Sequence, residues 1–129
     1  MDFTGDENRQ VYQFSWMERE LKRVLEDKLA DRILIIGSGV LECQTAIELA
    51  NKSKEVMIIE RSDELLSDCL NSPIRAQLMR SLEKLLVTFY LETVVIDSEK
   101  EQVCLCNKEG FQLYLAIDNI IAPKGYKYF

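Results

Sequence analysis

Two glycines one residue apart, Gly37 and Gly39, and an acid at the end of the next apolar run, Glu60, are the residues of this 129-residue chain whose types and spacing suit chemistry. The glycines sit in GSGVLECQTAIELA, residues 37–50, directly after the apolar run RILIIG. A glycine leaving a strand permits a tight turn, and a second one lets a bound group approach the backbone. The helix that follows presents unpaired N–H groups and the positive end of its dipole, a seat for an anion. Glu60 lies 23 residues after Gly37. That is close to the ~20-residue offset at which a carboxylate accepts hydrogen bonds from the hydroxyls of a nucleotide ribose. The chemistry expected is dinucleotide binding. Gly37, Ser38, Gly39, Val40 and Leu41 would line the phosphate side, and Glu60 would hold the ribose. The carboxylate favours NAD(H), because it repels a 2′-phosphate; Arg61, next in sequence, softens that preference.

The rest of the composition narrows the chemistry further. The chain has no histidine, which excludes Ser/His/Asp and Cys/His catalysis and His-containing metal sites. No catalytic residue and no metal site is expected within it. Cys104 and Cys106 form C-x-C on one strand, and Cys43 and Cys69 are too distant in sequence to complete a zinc site. An i, i+2 pair is also poor disulfide geometry, so these two are read as ordinary, partly buried cysteines. Cys43, in the helix after the glycine turn, is read as a packed small residue rather than a thiol activated by the dipole. The formal net charge of −6 argues against nucleic-acid binding. No apolar run is long enough to span a bilayer, and the polar start MDFTGDENRQ is no secretory signal. A reduced, cytoplasmic setting without membrane contact is expected.

The elements that must position the glycine turn can be read along the chain. Residues 1–15 are expected to be a flexible N-terminal segment, and 16–129 a single domain. Ser15 and Glu18 form a capping box for a helix over about Trp16–Leu29, whose Glu18, Glu20, Glu26 and Asp27 form a solvated face. RILIIG reads as a strand buried on both faces, followed by a helix over about Val40–Asn51 and a second buried strand, Val56–Glu60. A further helix starts at Pro73 with Ser72 as N-cap, and Ile74, Leu78, Leu82, Leu85 and Leu86 form its apolar stripe. VTFYL reads as a third strand. TVVIDSE, QVCLCN and FQLYLAI read as an antiparallel meander, and NIIAP as a last strand ended by Pro123. The fold class is α/β: a Rossmann-like parallel sheet with a βαβαβ core and a three-stranded antiparallel meander, preceded by an N-terminal helix.

From Arg32 onward the chain resembles the NAD(P)H-binding domain of the pyridine nucleotide-disulfide oxidoreductase superfamily, over about three quarters of its length. The motifs that carry the resemblance are GSGVLECQTAIELANKSKEVMIIERSDELL and the closing NIIAPKGYKYF. CQTAIELA and EVMIIE look most like old yellow enzyme-related NADH:flavin oxidoreductases such as 2,4-dienoyl-CoA and 2-enoate reductases. The resemblance implies a flavoprotein in which this domain positions NADH for hydride transfer to FAD or FMN held by another domain. It places Gln44 towards the nicotinamide and Gly125 on the wall of the cleft. It also implies that the segment is excised from a larger flavoprotein and is inactive alone. The aromatic, basic YKYF end is then read as a cut interface or a homodimer contact.

The departures from that pattern are specific. Glu42 stands where the third glycine is usual, Gln44 where a glutamate is usual, and Ser53 where a glycine often separates helix from strand. At ~6 Å and an effective dielectric of ~20, a Glu42 carboxylate beside a pyrophosphate costs on the order of 3 kcal/mol, about a hundredfold in affinity before solvent screening. The alternative reading is a diverged dinucleotide fold that has lost its cofactor and serves as a structural or protein-interaction module.

Overall fold

The structure, a computed structural model, describes residues 11–13, 31–99 and 101–122. The N-terminal helix expected over 16–29, with its acidic face, lies outside the described residues, as do Pro123 and Gly125.

The run RILII forms a strand because both of its faces are covered. Arg32–Ile36 (β2 below) pairs in parallel with Glu55–Glu60 (β3) on one side and Asn119–Ala122 (β8) on the other. Val11–Gln13 (β1) and Thr88–Leu91 (β4) complete a five-stranded parallel sheet in the order β1-β8-β2-β3-β4. β1 was not legible as a strand in the sequence, where its residues fall within the N-terminal segment. The second sheet is the expected meander: Thr93–Ser98 (β5), Gln102–Asn107 (β6) and Gln112–Ala116 (β7), antiparallel in that order.

Alternation along β2 and β3 sorts their side chains into two cores. Ile33, Ile35, Val56 and Ile58 face the helices, with Cys43, Ala46, Leu49, Leu78 and Leu82. Leu34, Ile36, Met57 and Ile59 face the meander, with Val95, Val103 and Leu105. The parallel sheet is therefore the middle layer, which is why its strands read as unbroken apolar runs. Arg32 pins the register at the bottom of the sheet. Its backbone N–H and its Nε both donate to Asp118 Oδ2, at 2.9 and 3.0 Å, and Nη2 donates to Oδ1 at 2.9 Å.

Among the described residues, the helix Val40–Asn51 (α1) has the bounds read from sequence, and the helix Pro73–Lys84 (α2) has the start and N-cap read from sequence. Ser72 Oγ accepts from the Ile74 N–H at 3.2 Å, and Pro73 takes the first helical position. One part of the α2 stripe is corrected. Leu86 lies beyond the helix with φ 60° and is 86% exposed, and Ile74 is exposed too, so of the stripe only Leu78, Leu82 and Leu85 pack inward.

α1 ends in a Schellman motif. The Lys54 N–H bonds to the Leu49 carbonyl and the Ser53 N–H to that of Ala50. Ser53 carries the left-handed residue of this motif, φ 68°, where glycine is at ease and a Cβ is crowded. Ser53→Gly is therefore expected to stabilise the domain by about 1 kcal/mol, read as a higher midpoint in denaturant with an unchanged slope.

Candidate functional site

The glycine turn lies at the C-terminal ends of β2 and β3, where open α/β sheets bind their ligands. Gly37 leaves β2 with φ 100° while its N–H donates to the Ile59 carbonyl at 2.9 Å. The turn therefore demands glycine at this position. Gly37→Ala is expected to cost about 1–2 kcal/mol of stability through backbone strain, measurable by equilibrium unfolding.

Ser38 is buried, and its hydroxyl donates to Glu60 Oε1 at 2.5 Å. The Ser62 N–H donates to Glu60 Oε2 at 2.8 Å. Burial alone would raise the Glu60 carboxyl, but these hydrogen bonds outweigh it and hold the group below the usual carboxylate range. Glu60 is thus ionised and fixed in direction at the tip of β3. Beside it runs a cleft of about 220 Å³ lined by Gly37, Glu60, Arg61, Thr93 and Val94, among others. Arg61 is exposed at its edge. Ser38, expected on the phosphate side, turns its side chain instead to the Glu60 carboxylate. Ser62 was not anticipated, and only a local turn signal marks it.

The phosphate side differs in kind. Gly39 caps α1 with no side-chain bond of its own. A methyl group placed on Gly39 would lie 2.7 Å from Glu42 Oε1 and 2.9 Å from Asp68 Oδ2. Two carboxylates therefore stand over the N-terminus of α1, where an anion would sit. Asp68 Oδ2 accepts from the Val40 N–H at 3.2 Å. Burial, followed by the nearby Asp68 and Glu60 charges, raises the Glu42 carboxyl above the usual range, against the lowering effect of the neighbouring Glu42 and Gly39 backbone amides. The atoms nearest that methyl position belong to the ends of flexible side chains and not to backbone. The obstruction over the helix end is thus made of side chains and not of backbone.

Asp68 was missed in the sequence because nothing periodic marks it. It lies in a single 3-10 turn, Ser67–Cys69, after β3. Leu66, fully buried with φ 57°, folds that turn back, its N–H donating to the Ser38 carbonyl at 2.9 Å.

The remaining sequence-derived residues are placed as follows. Val40 and Leu41 are partly buried and pack against the helix-side core. Gln44 is exposed on α1. Cys43 is fully buried, and burial and the Glu42 charge push its thiol up to about 12, so it holds no thiolate at neutral pH. Cys104 is buried on β6 and Cys106 half-buried; all four cysteines, Cys69 included, are free thiols. Among the described residues no helix is long and apolar enough to cross a membrane.

Comparison with known proteins agrees with this architecture. The family model described as pyridine nucleotide-disulphide oxidoreductase matches residues 2–127. Apoptosis-inducing factor 1 of Saccharomyces cerevisiae is 33% identical over 122 residues, covering 85% of this chain and 31% of its own length. The nitric oxide reductase FlRd-NAD(+) reductase of Vibrio vulnificus is 26% identical over 102 residues, covering 76% of this chain and 26% of its own. The chain thus spans about a third or less of these relatives. Among solved structures, a 2-naphthoyl-CoA reductase in complex with 2-naphthoyl-CoA aligns with TM-score 0.75 at 22% identity, over 94% of this chain and 17% of its own.

Proposed function

Because the chain belongs to the pyridine nucleotide-disulphide oxidoreductase family, we propose that it is an NADH-binding domain whose partner is a flavin held elsewhere in a larger protein. The observation that carries this reading is the Ser38–Glu60–Ser62 clamp. It fixes an ionised carboxylate at the strand tip, beside a cleft at the C-terminal edge of a parallel sheet. A carboxylate so held accepts hydrogen bonds from a ribose diol and repels a 2′-phosphate, which supports NADH over NADPH. Gly37, Ser38 and Gly39 would bring their backbone to the pyrophosphate, with the N-terminus of α1 behind them. Bound NADH supplies a hydride to FAD or FMN; this chain's residues bind and orient it. The likeness of CQTAIELA and EVMIIE to old yellow enzyme-related reductases supports placing the parent protein in that branch.

Calorimetric titration with NADH and NADPH tests the reading. Saturable binding with NADH the tighter ligand supports it. Absence of heat at millimolar NADH across pH 5.5–8, in the native chain and in Glu42→Gln, would overturn it and favour an interaction module.

A further inference from the structure

We propose that Glu42 and Asp68 form a carboxylate gate over the pyrophosphate seat, and that a dinucleotide enters only as Glu42 takes up a proton from solvent and Asp68 turns off the Val40 N–H. This rests on the NADH-binding reading above and adds a control to the same site.

The geometry carries the proposal. The two carboxylates take the place an anion needs, both within 3 Å of where a Gly39 methyl group would lie, and Asp68 already takes the Val40 N–H. They reach the seat from different elements. Glu42 comes from the first turn of α1, and Asp68 from the 3-10 turn held down by Leu66. An incoming pyrophosphate must displace both, and it cannot share the helix end with two negative charges. Asp68 can rotate into water. Glu42 is packed more deeply, and burial favours its uncharged form.

The groups that face Glu42 set the sign of the pH effect. Asp68 faces it from the 3-10 turn, Glu60 from the tip of β3, and Cys43 from the next position on α1, with Cys69 behind Cys43. Arg75 of α2 spends its Nε on the Leu65 carbonyl at 3.3 Å. The acidic neighbours and the burial both favour the protonated form, in agreement with the raised Glu42 carboxyl. Above the pH at which Glu42 titrates, each bound dinucleotide brings in one proton, so affinity falls by about tenfold per pH unit. Below it, affinity levels off.

ADP-ribose is titrated into the full chain between pH 5.5 and 8, in buffers of different ionisation enthalpy. The native chain should weaken with rising pH and take up close to one proton at pH 8. Glu42→Gln should bind with a flat pH profile and without proton uptake. Asp68→Asn should bind more tightly at pH 8 while keeping the slope. Native affinity that is independent of pH and equal to that of Glu42→Gln overturns the gate and leaves the NADH reading standing. No binding by the native chain or either variant at any pH overturns both.

Discussion

Glu60→Ala is expected to weaken NADH by about ten- to a hundredfold and to erase the preference over NADPH. The size follows from the net worth of hydrogen bonds to an ionised carboxylate, about 1.5–3 kcal/mol each. The selectivity follows because the charge that repels a 2′-phosphate is gone. The substitution also has a structural cost. The buried Ser38 hydroxyl loses its acceptor, and an unsatisfied buried donor costs about 1–3 kcal/mol. Glu60→Gln separates the two effects. Its amide oxygen can still accept from Ser38, so stability should return towards that of the native chain, while the NADH preference should not. Titrations with both nucleotides, beside a denaturant melt of each variant, read the two effects independently. A Glu60→Gln variant with native preference would mean that the charge does not select the ribose.

Ile58→Ala is expected to have the largest effect on stability, about 2–5 kcal/mol. Ile58 is fully buried in β3, with β2 on one side and β4 on the other, and packs into the helix-side core. Neither neighbouring strand can close on the space left behind without breaking register, so relaxation is limited. Small domains are stable by only about 5–15 kcal/mol, so this change removes a large share of the total. It also sits two residues before Glu60. A variant that remains folded should still bind nucleotide, since Ile58 touches no part of the cleft. The loss is read as a fall in the denaturant midpoint, and a fall of under 1 kcal/mol would show that the core relaxes around the gap.

Much of the fold was legible because it is built from local signals. Unbroken isoleucine runs mark β2 and β3 as strands covered on both sides, and the two cores show why. Ser72 and Pro73 mark the start of α2 through their own backbone chemistry. The meander follows from short alternating runs separated by polar turns. Elsewhere the local signal was absent or misleading. β1 has three residues and exists through pairing with β8, the last strand of the sheet, which no local pattern encodes. Leu86 has helical spacing but is itself the left-handed residue past the helix end. FQLYLAI reads as a strand without showing which face is covered; Phe111 just before β7, and Leu113 and Tyr114 within it, are exposed.

The site divides in the same way. Gly37, Gly39 and Glu60 were legible because their spacing is imposed by the strand–turn–helix–strand unit. Glu42 was visible as an acid in place of a glycine. Its company was not, because Asp68 reaches the helix end through a fold-back that depends on the left-handed Leu66 and the Ser38 carbonyl. The Ser38–Glu60 bond spans 22 residues and forms only when β2 and β3 lie side by side. What the structure adds is therefore the contacts between segments. They fix the acid at the tip of β3 in a clamp, and they turn one misplaced acid into a pair standing over the N-terminus of α1.

The central claim is that a dinucleotide sits between the glycine turn and Glu60. Backbone amide chemical shifts of the full chain, recorded at pH 6 with increasing ADP-ribose, test it most directly. The account predicts saturable shifts concentrated at Gly37, Ser38, Gly39, Val40 and at Glu60 to Ser62, with the Asp68 turn moving in step as its bond to Val40 is released. Shifts that never saturate, or that fall on the meander and leave the glycine turn unmoved, would contradict it.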